Sequence, residues 1–598
     1  MDSSNKKRVA IIGAGPSGLA ACKHALAKGF VPVIFDSGAS VGGVWTRTLA
    51  STKLQTPAAA FQFSDFPWPA GTSEFPSHDQ VLAYLTAYAR KFGVLECVKL
   101  GSKVVGAEYS GASEKEVTAW DRWSGNGEAF GDGSGEWHLT VQHIESGSIQ
   151  KYEFDFLIVC VGRYGVTKIP TFPPNKGPEV FHGKVLHAQD YSHMEDRDAA
   201  ELIRGKRVVV VGSGKSGLDT AAECAEANGS KYPCTLIYRT ANWMVDHKLT
   251  WGLNVSKRTT TRLAELMVHK PEEGFALSLL ATLLTPLRWL LSTVTETYYK
   301  MHIPMRKNGM VPDCTISQSL LGWKLGLLPD RFYDLVDEGS LVLNKCDSFS
   351  FCADGLVLDT GKRVEADVVI LATGFNPDQL LRSVFTSPWV RDIVSGASSD
   401  TMLPLYRNIV HPRIPQMAIV GYLESRATIY PYEMMSKWVA HLLDGTVRLP
   451  CVKDMEKSVG EWALWGQGAR QRSGSLFLKS CIATVTTWYH DQLCRDMGYS
   501  ARRKKGFVAE LMEPYGPTDY ADIQSARQEG AGSCRFLVRR AGGRGSAHRR
   551  VREGANFRYR YIRYARRRPD PAASSSATLE GMDPLAAAQE KEPNPVVA

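Results

Sequence analysis

Apolar residues in this chain gather in short unbroken runs, and two of the runs end alike. "RVAIIGAGPSG" (8–18) and "RVVVVGSGKSG" (207–217) each carry four apolar residues, Val9–Ile12 and Val208–Val211, straight into Gly-x-Gly-x-x-Gly. Such a run predicts a strand covered on both faces. Behind each glycine cluster, "LAACKHALAKG" and "LDTAAECAEANG" predict a helix. "FVPVIFD" and "TLIYRT" then supply each unit's second strand, and "EADVVILATGFNPD" supplies a late one. Strands alternating with helices predict the α/β class, with two dinucleotide-binding (Rossmann-like) domains.

The spacing predicts one large domain interrupted by a smaller one. Residues 1–200 form the first part of the larger domain, and 201–329 form the smaller one, with a helical apolar insertion. Residues 330–523 complete the first, and 524–598 form a tail. Within the insertion (Trp243 to Asp313) stands "FALSLLATLLTPLRWLLSTV" (275–294), nearly long enough to cross a bilayer. Pro286 and Arg288 in its middle make a span expensive. A buried helix is the simplest reading, and an interfacial or lid pair broken at Pro286 is the alternative.

The glycines carry chemistry. The first of each trio permits a tight turn, the second lets backbone approach a pyrophosphate, and the third lets helix pack on strand. The helix N-terminus adds partial positive charge. "VGSGKSG" misses the nucleoside-triphosphate loop, because Val209 stands where that motif needs its first glycine. "FVPVIFD" ends in Asp36, suited to ribose hydroxyls, whereas "TLIYRT" offers Arg239, suited to a 2′-phosphate. Two different dinucleotides follow: FAD at the first turn and NADPH at the second. The FAD set is Gly13, Ala14, Gly15, Pro16, Ser17, Gly18, Asp36, Gly43, Trp45 and Thr56. Thr373 and Gly374 join it as the strand end expected to return the chain to the FAD pyrophosphate. The NADPH set is Gly212, Ser213, Gly214, Lys215, Ser216, Gly217, Arg239 and Thr240.

Net charge is +9 over 598 residues, yet nucleic acid is not an expected partner. Fourteen Arg against two Glu fill 524–568, and one Lys against five acids fill 569–598, which leaves the remaining chain near +1. The Arg-rich tail has little apolar periodicity and is expected to be disordered, either without function or a misread frame. Twelve cysteines without a C-x-x-C pair read as reduced thiols, and no metal site is expected. With a strand starting by Val9, a cleavable signal is not expected, so the expected location is cytoplasmic, with contact at the endoplasmic reticulum surface left open.

"FHGKVLHAQDY" (181–191) fits Phe-x-Gly-x-x-x-His-x-x-x-Tyr/Phe through Phe181, Gly183, His187 and Tyr191. With the two turns and the "LATG" strand in order, the chain over about residues 5–520 resembles the flavin-containing monooxygenases. "FSDFPWP" (63–69) and "YHDQLCRDMGY" (489–499) resemble their plant branch. The resemblance implies that NADPH reduces FAD and that O2 forms a 4a-hydroperoxyflavin. A soft nucleophilic amine or thioether would then be oxygenated. It implies a hinge role for His187. Where many relatives carry a flavin-facing asparagine, this chain carries Gln55, one methylene longer, with Thr56 as a second hydrogen-bonding group. Likeness to the defence-related branch implies N-hydroxylation of pipecolic acid or a similar small amine. Auxin-forming decarboxylation of indole-3-pyruvate and S-oxygenation of thioethers are the alternatives.

Rival readings fit less well. A disulfide reductase needs a dithiol, and the tightest spacing here is Cys346 to Cys352. Baeyer–Villiger oxygenases normally place Trp where Tyr191 stands. A non-catalytic flavoprotein is the rival of another class.

Overall fold

The computed structural model describes residues 6–49, 51–111, 113, 115–116, 127–131, 135–245, 260–397 and 399–523. The Arg-rich tail lies outside the described residues. Walking the chain, β1 (Arg8–Ile12) turns into α1 (Pro16–Ala27) and returns as β2 (Val31–Phe35), then β3 (Val98–Lys99) and β4 (Phe156–Val159). A second series follows: β5 (Lys184–His187), β6 (Val208–Val211), α2 (Lys215–Asn228), β7 (Cys234–Tyr238), β8 (Leu341–Lys345) and β9 (Val368–Leu371). Strand β10 (Met417–Ile419) then rejoins the first.

These strands build two parallel five-stranded sheets, β3-β2-β1-β4-β10 and β8-β7-β6-β9-β5. Four strands follow the same order in both, so the second unit repeats the first. The apolar runs are uninterrupted because both faces are covered. Val9 and Ile11 pack into one core while Ala10 and Ile12 pack into another; Val208 and Val210 oppose Val209 and Val211 in the same way.

Strand pairing departs from the expected boundaries. β5, β8 and β9 all pair in the second sheet, so that unit runs from about residue 184 to 372 rather than 201 to 329. The end of the insertion was mistaken for the end of the unit, whose third and fourth strands lie beyond it. Two antiparallel linkers join the units: Lys168 N–H donates to Gly374 O (2.9 Å) and Asn376 N–H to Val166 O (2.8 Å).

The apolar stretch forms two helices, α3 (Phe275–Leu283) and α4 (Thr285–His302), bent by 45°. The break falls at Leu284, and Pro286 sits in the first turn of α4, where a missing N–H costs nothing. The expectation of a buried helix is wrong: Phe275 is 83% exposed, Leu283 68% and Trp289 66%. No single helix among the described residues is long and apolar enough to cross a membrane. Around this pair the insertion reaches the C-terminal half. Arg262 pairs with Asp491 (2.5 Å) and Glu510 (2.7 Å), and Trp465 and Trp488 donate to the His269 and Pro271 carbonyls.

Helix α5 (Ile429–Leu443) lies on α1 and buries a charged network. Glu433 accepts from Ser64 N–H (2.7 Å) and Ser64 Oγ (2.8 Å), and faces Lys437 (3.5 Å) and His24 (3.7 Å). Lys437 also donates to the Tyr520 carbonyl (2.9 Å), and Lys23 pairs with Asp65 (2.6 Å). "FSDFPWP" is thereby a packing motif: Ser64 and Asp65 feed the network while Phe63 stacks on Tyr88 at 3.7 Å.

Burial pushes three histidines down, His24 to about 4 and His411 and His490 to about 3. Each folds neutral, whereas in the unfolded chain each takes a proton near pH ~6.5. Their stabilising share is complete above that value and is lost as pH falls toward 4 for His24 and toward 3 for His411 and His490. Equilibrium denaturation should therefore show stability lower at pH 5 than at pH 7.5, on the order of 2 kcal/mol per histidine. Equal midpoints at the two pH values would contradict neutral burial.

Candidate functional site

The two glycine turns divide their labour identically. Gly13 (φ +108°) and Gly212 (φ +123°) take backbone that favours glycine, and their N–H groups donate to Phe35 O and Ile237 O, both at 2.8 Å. A Cβ on Gly18 would stand 1.8 Å from Gly13 O, and one on Gly217 would stand 2.0 Å from Gly212 O. Helix and strand can meet only without those side chains. The middle glycines differ in kind. A Cβ on Gly214 would meet nothing within 4 Å, and one on Gly15 would meet only Gly43, at 3.6 Å. Nothing among the described residues demands glycine at 214. A side chain there would fill open space before the first turn of α2, whose N–H groups have no side-chain cap. That bare cradle fits an anionic pyrophosphate. Gly43 (φ +61°) closes on the first turn, since its own Cβ would stand 2.9 Å from the Gly15 Cα. Trp45, half-buried, packs edge-on against Phe61 at 6.0 Å.

Asp36 follows β2 and holds its turn: Oδ2 accepts from Ala14 N–H and Oδ1 from Gly38 N–H, both at 2.7 Å. In the second unit the matching register position falls on Tyr238, because Ile12 pairs with Phe35 and Val211 with Ile237. Arg239 is therefore one residue further out than expected, because Tyr238 ends the strand. It is exposed and makes no ion pair among the described residues. Thr240 O accepts from Ser213 Oγ (2.5 Å), and Asn242 donates to Ser213 O (2.9 Å). Lys215 pairs with Asp219, whose pKa burial raises against the pull of the ammonium. Ser216 stays exposed at the helix start. Pro16 opens α1, and Ser17 is buried against Gly421.

The "LATG" strand lies elsewhere than expected. β9 pairs with β6, so Ala372 O packs on Gly212 and borders the second turn; Cys160 O holds that place at the first. Thr373 and Gly374 open the linker, where Thr373 Oγ1 donates to Lys168 O (2.5 Å). His187 packs against Phe375 of the same linker, rings 5.5 Å apart, and its Nδ1 accepts from Gln189 N–H (3.0 Å). Burial lowers its pKa.

Between the units runs the loop that carries Gln55. Ser51 donates to Glu223 (2.5 Å), which also accepts from Tyr191 OH (3.1 Å). Lys53 pairs with Asp330 (2.7 Å), and Thr56 Oγ1 donates to Arg426 O (2.9 Å). Gln55 is exposed, with Oε1 beside Gly326: a Cβ there would stand 3.2 Å away. Glu223, Asp330 and Arg426 were not anticipated, since each meets the loop across more than 170 residues of chain.

Residues 6–276 match the family model described as flavin-binding monooxygenase-like. The chain is 36% identical over 538 residues to a protein named probable flavin-containing monooxygenase 1 of Arabidopsis thaliana, covering 88% of this chain and 98% of that one. This chain belongs to the flavin-containing monooxygenase family. A second Arabidopsis relative, named putative flavin-containing monooxygenase 2, is 35% identical over 82% of this chain and 97% of its own length. Solved structures agree on the fold. A steroid monooxygenase bound to NADP matches with TM-score 0.56 at 17% identity, over 83% of this chain and 99% of the other. OTEMO in complex with FAD and NADP matches with TM-score 0.58 at 15% identity, over 82% and 98%. The enzyme is a monooxygenase, and its family's cofactors are FAD and NADPH.

The glycine geometry separates folding from binding. Gly217→Ala should cost about 3 kcal/mol or more through its collision with Gly212 O, whereas Gly214→Ala should stay within about 1 kcal/mol of wild type. Thermal unfolding of the two apoproteins decides; equal losses would refute the division.

Proposed function

We propose that Gly13–Gly18, Asp36, Gly43 and Trp45 hold FAD, and that Gly212–Gly217, Arg239 and Thr240 hold NADPH. The observation that carries this reading is the pair of open middle glycines, each in front of an uncapped helix start. Arg239 reads the 2′-phosphate, for which an exposed guanidinium that makes no ion pair among the described residues is suited. FAD, when bound, supplies the electron and oxygen chemistry. The chain positions both nucleotides and limits water at the seam. Gln55 presents an amide there, and Thr56 fixes its loop to the start of α5. The substrate is a soft nucleophile, and the plant-branch likeness favours a small amine such as pipecolic acid, hydroxylated at nitrogen.

Arg239→Glu should raise the NADPH KM by about 10- to 100-fold, by loss of a charge-assisted pair, while the protein stays yellow. Equal loss of flavin and NADPH would overturn the assignment. Incorporation of one atom of 18O2 into the amine product tests the oxygenation itself; stoichiometric H2O2 without product would argue against it.

A lipid surface is the partner we propose for α3 and α4. Leu279, Leu283, Leu287, Trp289, Leu290 and Val294 are all exposed. Phe507 and Val508, 79% and 71% exposed, add a second patch on a short helix packed against 262–266, beside exposed Arg502 and Lys505. Trp289→Asp with Leu290→Asp should abolish co-sedimentation with phosphatidylcholine/phosphatidylserine vesicles without changing turnover in buffer. Wild-type protein left wholly in the supernatant would refute the contact.

A further inference from the structure

Buried polar atoms without partners gather beside the start of α5. Nε and Nη1 of Arg426, both ring nitrogens of His490 and the Tyr520 hydroxyl are sealed from solvent and make no hydrogen bond among the described residues. Tyr430, four residues after Arg426, packs against the His490 ring at 5.1 Å, and His490 packs against the Tyr520 ring at 5.0 Å. Buried polar groups are almost always paired, so such a gathering calls for an occupant.

Arg426 is the charged member, and it makes no ion pair among the described residues. Burial pulls its pKa down to about 10, against Tyr430, Glu265 and Cys481, which favour its charge. Glu265 is already engaged: it accepts from Trp488 N–H (2.7 Å) and faces Arg262 (3.8 Å). Burial also raises Glu265 to about 7, which leaves it only partly charged at neutral pH. Arg426 is half-buried, with Nε and Nη1 buried and unpaired among the described residues; such a guanidinium suits an anion, and its planar fork matches a carboxylate.

Position supplies the rest. The Arg426 carbonyl accepts from Thr56 Oγ1, so Arg426 is fastened to the loop whose preceding residue, Gln55, reaches the second unit at Gly326. We propose that Arg426 is the receptor for a carboxylate on the amine substrate. This rests on the reading of the enzyme as an amine oxygenase and narrows it to amino acids. Arg426 acts as a specificity residue.

The test compares piperidine-2-carboxylate with piperidine, by calorimetry on the NADP+-loaded holoenzyme. Wild type should bind the amino acid at least about tenfold more tightly, the scale of one charge-assisted pair. Arg426→Gln should erase that preference, leaving piperidine affinity, flavin content and NADPH KM within about twofold, and Arg426→Lys should keep part of it. Removing an unpaired buried charge should not lower the melting temperature. Three results would overturn the proposal: no preference in wild type, a preference that survives Arg426→Gln, or loss of flavin or NADPH affinity in its place. The last would mark Arg426 as a cofactor anchor. Tight, Arg426-dependent binding without any oxygenated product would support the receptor and count against the amine-oxygenase reading.

Discussion

One contact governs both units: the carbonyl of the first glycine lies against the α-carbon of the third. At Gly18 and Gly217 an added Cβ would fall within 2.0 Å of that oxygen, inside any tolerable separation. The contact presses the helix onto the end of the central strand and aims its first N–H groups across the middle glycine. Those N–H groups have no capping side chain in either helix. Binding capacity at the turn is thus a by-product of how tightly helix and strand must pack. A second copy of the packing constraint brings a second copy of the cradle.

Joining the two units is a separate problem, and weaker contacts solve it. Each sheet has its own pair of apolar cores, and the residues joining the units are mostly polar: Ser51 on Glu223, Lys53 on Asp330, and the paired linkers. Exposed pairs such as Lys53–Asp330 contribute only about 0–1 kcal/mol. A seam of this kind is softer than the bodies it joins, as interfaces between domains generally are. Gln55 sits in the loop that several of these contacts clamp. Its placement is therefore set by the relation between the units as much as by the unit it belongs to.

What could be read from sequence follows the same division. The strand–glycine–helix units were legible because every requirement lies within about fifteen consecutive residues. Sheet membership was not. Nothing local tells that β9 pairs with β6 or that β5 joins the second sheet, since those pairings are decided by which apolar runs cover each other after the chain has returned. The same limit displaced Arg239 by one position, because register, and not the end of an apolar run, defines the strand terminus. It also hid Arg426, whose significance lies in what it fails to pair with. The buried-helix expectation for 275–294 misses for a different reason. Hydrophobicity predicts that a surface will be covered, and it does not say whether protein or something else covers it.

Length distinguishes the forms that such a covering could take. At about 1.5 Å per residue, the nine residues of α3 and the eighteen of α4 extend roughly 14 Å and 27 Å. Neither reaches the ~30 Å of a hydrocarbon core. The 45° bend prevents the two from acting as one straight span. Opening that bend would demand new helical bonds across Leu284, where Pro286 has already removed one donor. Arg288 lies close behind the break, and a guanidinium at the centre of a bilayer would cost more than one lying near headgroups. Every one of these terms favours a pair that rests along an apolar boundary over a pair that pierces it. The stem of the insertion supports the same geometry. Trp243–Val245 pairs with Leu325–Leu327, and Met244 and Gly326 stand beside Gln55. The insertion that carries α3 and α4 is therefore rooted at the seam.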